Sequence, residues 1–224
     1  MADHHPVIST LHRVVPAAPG KPTRHETAAS QLASRTIAED PSTWSVERAR
    51  ETVHRYTRLA ETWDGERGSY RPLPLSDALA RGGPFPAGLC VEVGCGTGLL
   101  TPLLTAVWPR TVSLDLTWAM LARSAAPARV LADASRVPLA DGTAAAVVLA
   151  DVPLFAEQVV RLLTADGVVV WSNALGEQAP GHVPLRIVLS ALQRACGTPW
   201  SAVTAEAGWG LWAVLRRSPQ PAAE

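Results

Sequence analysis

Leu89-Cys-Val-Glu92-Val-Gly94-Cys95-Gly96-Thr97-Gly98 passes from a short apolar run straight into three alternating glycines. The run 89–93 is too short for a helix and is bounded by turn residues, which reads as a buried strand. The glycines let the chain turn tightly and let a ligand reach the main chain without meeting a Cβ. An amphipathic stretch, Gly98–Val107, follows and ends before Pro109. The spacing discriminates among ligands. A dinucleotide fingerprint needs glycine where Leu99 stands, and no Gly-Lys-Ser/Thr follows to make a Walker loop.

Downstream, apolar runs alternate with helical patterns. Strands are expected at Thr111–Leu114, Arg129–Ala132, Ala144–Leu149 and Val168–Trp171. Helices are expected at Trp118–Ala125, Pro153–Leu163 and Leu185–Ala195. Continuously apolar strands separated by helices belong to a parallel sheet covered on both faces, with right-handed crossovers. Near the end, Ala202–Ala205 and Leu211–Arg216 flank the turn Glu206-Ala-Gly-Trp-Gly210. Such a pair forms a hairpin, so the last strand runs antiparallel to its parallel neighbour. The expected fold is a doubly wound, Rossmann-like α/β domain with a mostly parallel seven-stranded sheet and a C-terminal antiparallel hairpin.

Residues 1–40 are rich in Pro, Ala, Ser, Thr and His without an apolar period, and read as a poorly ordered tail that includes His4 and His5. From Ser45 to Trp63 apolar positions recur at three- and four-residue steps, with Ser45 as N-cap. A second helix is expected at Leu75–Ala80, closed by Gly82-Gly83-Pro84. The division is therefore tail 1–40, helical segment 41–88, α/β core 89–217 and tail 218–224.

Twenty basic and twenty acidic residues leave no net charge, which argues against a polyanion as partner. No apolar run is long enough to span a membrane, and MADHHPVIST has no signal-peptide core, so the reading is cytoplasmic without a membrane partner. Oligomeric state is not legible. Cys90, Cys95 and Cys196 lack metal-ligand spacing and read as reduced thiols, so no metal is expected.

Two acids complete a set with the glycine loop. Asp115, followed by Leu116, ends the second strand, where a carboxylate can accept from both hydroxyls of a ribose. Asp133-Ala134 follows the third strand, where the acid can accept from an adenine amino group and the next N–H can face a ring nitrogen. The ordered set, Glu92-Val-Gly-Cys-Gly-Thr-Gly98, then Ser113-Leu-Asp-Leu-Thr-Trp-Ala-Met-Leu121, then Asp133-Ala134 with Val137-Pro-Leu-Ala-Asp-Gly142, resembles the class I S-adenosylmethionine-dependent methyltransferases of small-molecule type. Leu162-Leu-Thr-Ala-Asp-Gly-Val168 is similar to their turn into the fifth strand. Ala144-Ala145 departs from the Phe-Asp pair often found there.

The resemblance implies S-adenosyl-L-methionine as cofactor. It implies that Glu92, Gly94, Cys95, Gly96, Thr97 and Gly98 surround the methionine part, Asp115 and Leu116 the ribose, and Asp133 and Ala134 the adenine. It also makes residues 41–88 an N-terminal helical lid over the cofactor mouth, and the substrate a small molecule. The resemblance also counts Asp151, after the fourth strand, among the cofactor-binding residues, where it either faces the transferred methyl or caps the next helix.

No catalytic residue is identified. Candidates on the substrate side are Tyr56 and Trp63, which core packing also explains, Asn173 at the end of the fifth strand, and His182, which a solvent-exposed loop also explains. Two other readings stay open: a non-catalytic methyltransferase-like partner protein, and an NAD(P)-dependent oxidoreductase.

Overall fold

The computed structural model describes residues 6–20 and 27–218. His4, His5 and the C-terminal tail after Ser218 lie outside the described residues. Strand β1 (Ile8–Thr10) precedes helices α1 (Thr27–Glu39), α2 (Val46–Leu59), α3 (Trp63–Arg67) and α4 (Pro72–Arg81). The core then runs β2 (Leu89–Val93), α5 (Thr101–Val107), β3 (Arg110–Asp115), α6 (Trp118–Leu121), β4 (Arg129–Leu131) and β5 (Ala144–Ala150). It continues with α7 (Ala156–Leu162), β6 (Leu163–Asn173), α8 (Leu185–Cys196), β7 (Trp200–Ala207) and β8 (Gly210–Arg217).

One sheet of order β1-β7-β8-β6-β5-β2-β3-β4 holds every strand. Strands β2 to β6 pair in parallel, while β8 is antiparallel to both β6 and β7. The seven expected strands and the antiparallel hairpin are all present, and β1 adds an eighth at the edge.

Alternation along the strands builds two cores. Val91, Leu114, Val147, Leu149, Val169 and Trp171 face α7 and α8, meeting Val159, Leu162, Val188 and Leu192. Cys90, Ala146, Val148, Val168, Val170 and Trp212 face the other way, onto Leu75 and Ala78 of α4 and Leu104 of α5. Because β5 is buried on both sides, Ala144–Leu149 shows no alternation in sequence.

The N-terminal region departs from the expected tail. Ile8–Thr10 pairs in parallel with Ala202–Thr204, and Leu11 and Val15 pack on the α4 face of the sheet. Helix α1 buries Ser34, Ile37 and Ala38. A three-residue strand is too short to display a period, and a helix that buries small residues while exposing Leu32 shows no apolar stripe. Helix boundaries shift as well. The helix expected over 45–63 stops at Leu59, and Trp63 opens the next one, yet Tyr56 and Trp63 still meet edge-on at 5.5 Å between centroids. Ser45 caps α2 as expected, accepting from Arg48 N at 3.2 Å. No described helix is long and apolar enough to cross a membrane.

Helix α4 is locked to β8 through a buried carboxylate. Asp77 accepts from Trp212 Nε1 at 2.7 Å and from Arg81 through both nitrogens of its fork. Burial alone would raise the Asp77 carboxyl, but hydrogen bonds from Arg81 and Trp212 and the Arg81 charge hold it below 3.8. In the acid range the unfolded chain binds more protons there, so this stability is present above about pH 3.8 and is lost as pH falls through the folded value. Asp77→Asn is expected to cost about 1–3 kcal/mol in urea unfolding and to flatten that acid-side loss.

Candidate functional site

The glycine loop leaves β2 with Gly94, Gly96 and Gly98 at φ of 68°, 59° and 79°, conformations that side chains other than glycine rarely adopt. Their surroundings differ. A Cβ on Gly94 would lie 2.2 Å from Val152 Cγ1, and one on Gly98 would lie 2.3 Å from Ser124 Oγ. At Gly96 the nearest atoms are Trp63 Nε1 at 3.6 Å and Met120 Sδ at 3.9 Å. A Cβ at Gly94 or Gly98 would thus overlap a packed side chain, while Gly96 leaves space on a cleft that it and Gly94 line with Trp63, Arg71, Glu92, Cys95 and Leu100.

Asp115 sits beside this loop because β2 and β3 are adjacent parallel strands and both end at the same sheet edge. Its Oδ2 accepts from Gly96 N and its Oδ1 from Thr117 N, each at 2.8 Å. Burial pushes the carboxyl up, and the backbone donors at Thr117 and Gly96 pull it partly back. Each oxygen still has a lone pair, so two further hydroxyl donors can be accommodated. Leu116 is half-buried next to it.

Asp133 follows β4, whose Leu131 pairs with Asp115. Its carboxylate accepts from Ser135 N at 2.8 Å and from Trp44 Nε1 at 2.9 Å. Trp44 rests edge-on against Phe155 at 5.7 Å, so the segment between α1 and α2 packs beside Asp133. Ala134 lines a small, mostly apolar pocket with Val93, Leu149 and Phe155.

Glu92 is buried under the loop and accepts from Thr101 Oγ1 at 2.6 Å and Ser113 Oγ at 2.7 Å. Burial raises its carboxyl, and the two hydroxyls offset part of that rise. Thr97 Oγ1 donates to Asp64, tying α3 to the glycine loop. Cys95 is buried, and desolvation drives its thiol far above the usual range, so it contributes shape rather than a thiolate. Among the described residues no group of three His, Cys, Asp or Glu is placed to hold a metal ion.

Arg71 escapes a reading of the sequence. It lines the cleft, donates to Ala150 O at 3.1 Å, pairs with Asp151 Oδ2 at 3.3 Å and lies over the Trp63 ring at 5.1 Å. It stands just before Pro72, with no motif around it, and its partner comes from a distant strand. Only its contact with the end of β5 makes it visible.

Asp151 groups with Asn173 and His182 rather than with Asp115 or Asp133. Its Oδ1 accepts from Ala174 N at 3.1 Å and Asn173 Nδ2 at 3.4 Å, and Asn173 Oδ1 meets His182 Nδ1 at 3.2 Å. Tyr56 and Trp63 form a small cluster with Ala60 and Met120. That cluster is both packing and cleft wall, since Trp63 reaches Gly96.

The arrangement suits a ligand combining a ribose, an adenine and a charged amino-acid end. Asp115 and Asp133 supply acceptors after the adjacent strands β3 and β4, Gly96 leaves room for close approach, and the Arg71 guanidinium can pair with a carboxylate.

Residues 91–170 match the family model described as a methyltransferase domain. No curated protein matches the chain in sequence. In fold, the chain is similar to an S-adenosylmethionine-dependent methyltransferase of Thermotoga maritima, at 14% identity and a TM-score of 0.58, over 74% of this chain and 99% of that one. A counterpart from Aquifex aeolicus gives 16% and 0.57, over 71% and 97%. A methyltransferase of Haloferax volcanii, solved in complex with the Trm112 activator, gives 15% and 0.57, over 73% and 98%. At these identities the likenesses show the fold.

Proposed function

We propose that this chain, whose residues 91–170 match a methyltransferase domain, is a class I S-adenosylmethionine-dependent enzyme that transfers a methyl group from S-adenosylmethionine to a small molecule. The observation that carries the reading is the Gly96 N–H on Asp115 Oδ2. It draws a positive-φ loop and a ribose acceptor together at one cleft, beside a guanidinium. In this reading Asp115 takes the ribose hydroxyls, with Leu116 alongside. Asp133 takes the adenine amino group, and Ala134 N–H faces a ring nitrogen. Gly94, Cys95, Gly96, Thr97 and Gly98 pass behind the methionine part over Glu92, and Arg71 pairs with its carboxylate.

The cofactor supplies an activated methyl, and the protein's task is alignment. Holding two reactants in line is worth about 7–11 kcal/mol of barrier in well-oriented systems. Trp63 and Arg71 wall the cleft, exclude water and orient the donor. With no excess charge to steer a polyanion, the acceptor is small.

The test is release of S-adenosylhomocysteine from S-adenosylmethionine in the presence of mixed small-molecule acceptors. Product formation that requires the chain and disappears in Asp115→Ala is the expected result. Cofactor binding without turnover across all acceptor classes would favour the second reading, a partner-dependent or non-catalytic protein. One observation supports that alternative: Trp118 and Leu131 are exposed, 67% and 56%, on α6 and the edge strand β4.

A further inference from the structure

Beyond the cleft, the carboxyl ends of β5 and β6 hold a row of polar side chains, Asp151, Asn173 and His182, which Arg71 of the cleft wall joins at one end. Arg71 pairs with Asp151, Asp151 accepts from Asn173, and Asn173 faces His182. Asn173 is fully buried and His182 half-buried.

Several features hold the row in place. Asp151 is the one non-glycine described residue with positive φ, at 58°, and its N–H donates to Ser172 O at 2.9 Å. Gly181 lies so close that a Cβ there would stand 3.1 Å from the Asp151 carbonyl. Gln31 of α1 donates to Glu177 O at 2.7 Å and Ala179 O at 3.0 Å, fastening the loop that carries His182.

The chemistry of the row orients the ring. A carboxylate only accepts, so the Asn173 amide turns its Nδ2 to Asp151 and its Oδ1 to His182. An amide oxygen only accepts too, so His182 Nδ1 carries the proton. In the neutral ring the lone pair is then on Nε2. Burial lowers the His182 pKa below 6.5, against the opposing charges of Glu177 and Asp151, so the ring is neutral at pH 7.

We propose that His182 Nε2 is the proton acceptor for a hydroxyl-bearing methyl acceptor, with Asn173 and Asp151 as positioning residues that set its tautomer. The inference rests on the methyltransferase reading. In the step, a lone pair of the acceptor oxygen bonds to the methyl carbon of S-adenosylmethionine. The carbon–sulfur bond breaks, and its electron pair goes to sulfur, leaving a neutral thioether. The hydroxyl proton passes to Nε2, and the imidazolium later releases it to solvent. Catechol and simple phenols are suitable probes; thiols, which reach the nucleophilic anion more readily, need no such base.

The decisive experiment is long-range proton–nitrogen NMR of the full chain labelled at histidine. The expected spectrum shows His182 neutral above pH 6.5, protonated at Nδ1 and bare at Nε2, with Asn173→Ala moving the proton toward Nε2. An Nε2–H form in the unsubstituted chain overturns the proposal. With phenols and S-adenosylmethionine, turnover should rise with pH along the NMR titration of His182. His182→Gln should lower kcat by about 10²–10⁴-fold and leave S-adenosylhomocysteine affinity within about twofold of the unsubstituted chain. Undiminished kcat in that variant overturns the proposal, as does turnover of thiols alone, or no turnover of phenols by a chain that binds S-adenosylhomocysteine. Failure to bind S-adenosylhomocysteine at all instead overturns the cofactor reading, which the NMR result does not depend on.

Discussion

Asp115→Ala is expected to weaken S-adenosylhomocysteine binding by about 100-fold, since two hydroxyls lose a charged acceptor worth about 1.5–3 kcal/mol each, partly offset by water. The carboxylate also organises its surroundings, holding Gly96 N–H and Thr117 N–H in place. Asp115→Asn should fare little better. An amide offers one acceptor oxygen, and its NH₂ would face one of those N–H donors. The proton dependence follows in sign. Burial raises the Asp115 pKa above 3.8, so affinity falls as pH drops toward that raised value. Calorimetry measures both effects, with thermal unfolding as the control for folding. Unchanged affinity in Asp115→Ala would mean that the ribose lies elsewhere.

Two alanine substitutions in the glycine loop should have opposite signatures. Gly94→Ala combines a positive φ with a methyl 2.2 Å from Val152 Cγ1. The backbone cost is about 1–2 kcal/mol and the overpacking about 1–3 kcal/mol, so a loss of roughly 2–5 kcal/mol in urea unfolding is expected. That is a large part of the stability of an ordinary domain. Gly96→Ala meets nothing closer than 3.6 Å and should cost only about 1–2 kcal/mol of backbone strain. Its methyl stands on the cleft wall beside Trp63, so cofactor affinity should drop at least about tenfold, or 1.4 kcal/mol, while the fold persists. Equal losses of stability in the two variants would contradict the separate roles of these glycines.

Much of this architecture is legible in the residues themselves. Strands buried on both faces read as continuous apolar runs, so β2, β3, β5 and β6 announce themselves. The loop and Asp115 follow from the ends of β2 and β3, and Asp133 from the end of β4 beside them, because a parallel sheet brings its carboxyl ends to one edge. What escaped has a common physical cause. Ile8–Thr10 is a strand only because β7 is there to pair with it. Helix α1 buries Ser34 and Ala38, which carry no periodic signal. Arg71 gains its place from a distant carboxylate, and a long side chain's destination is set by packing rather than by its neighbours in sequence. Asp151, Asn173 and His182 are each unremarkable alone. The turn at Asp151 and the close approach of Gly181 turn them into a connected row.

The most direct test is titration of the purified chain with S-adenosylhomocysteine and, separately, with NADH by calorimetry. Saturable heat with one equivalent of S-adenosylhomocysteine, much reduced in Asp115→Ala, and none with NADH, is the predicted outcome. Preferential binding of NADH, or no heat with S-adenosylhomocysteine, would contradict the assignment of the glycine loop and Asp115 to a methyl-donor site.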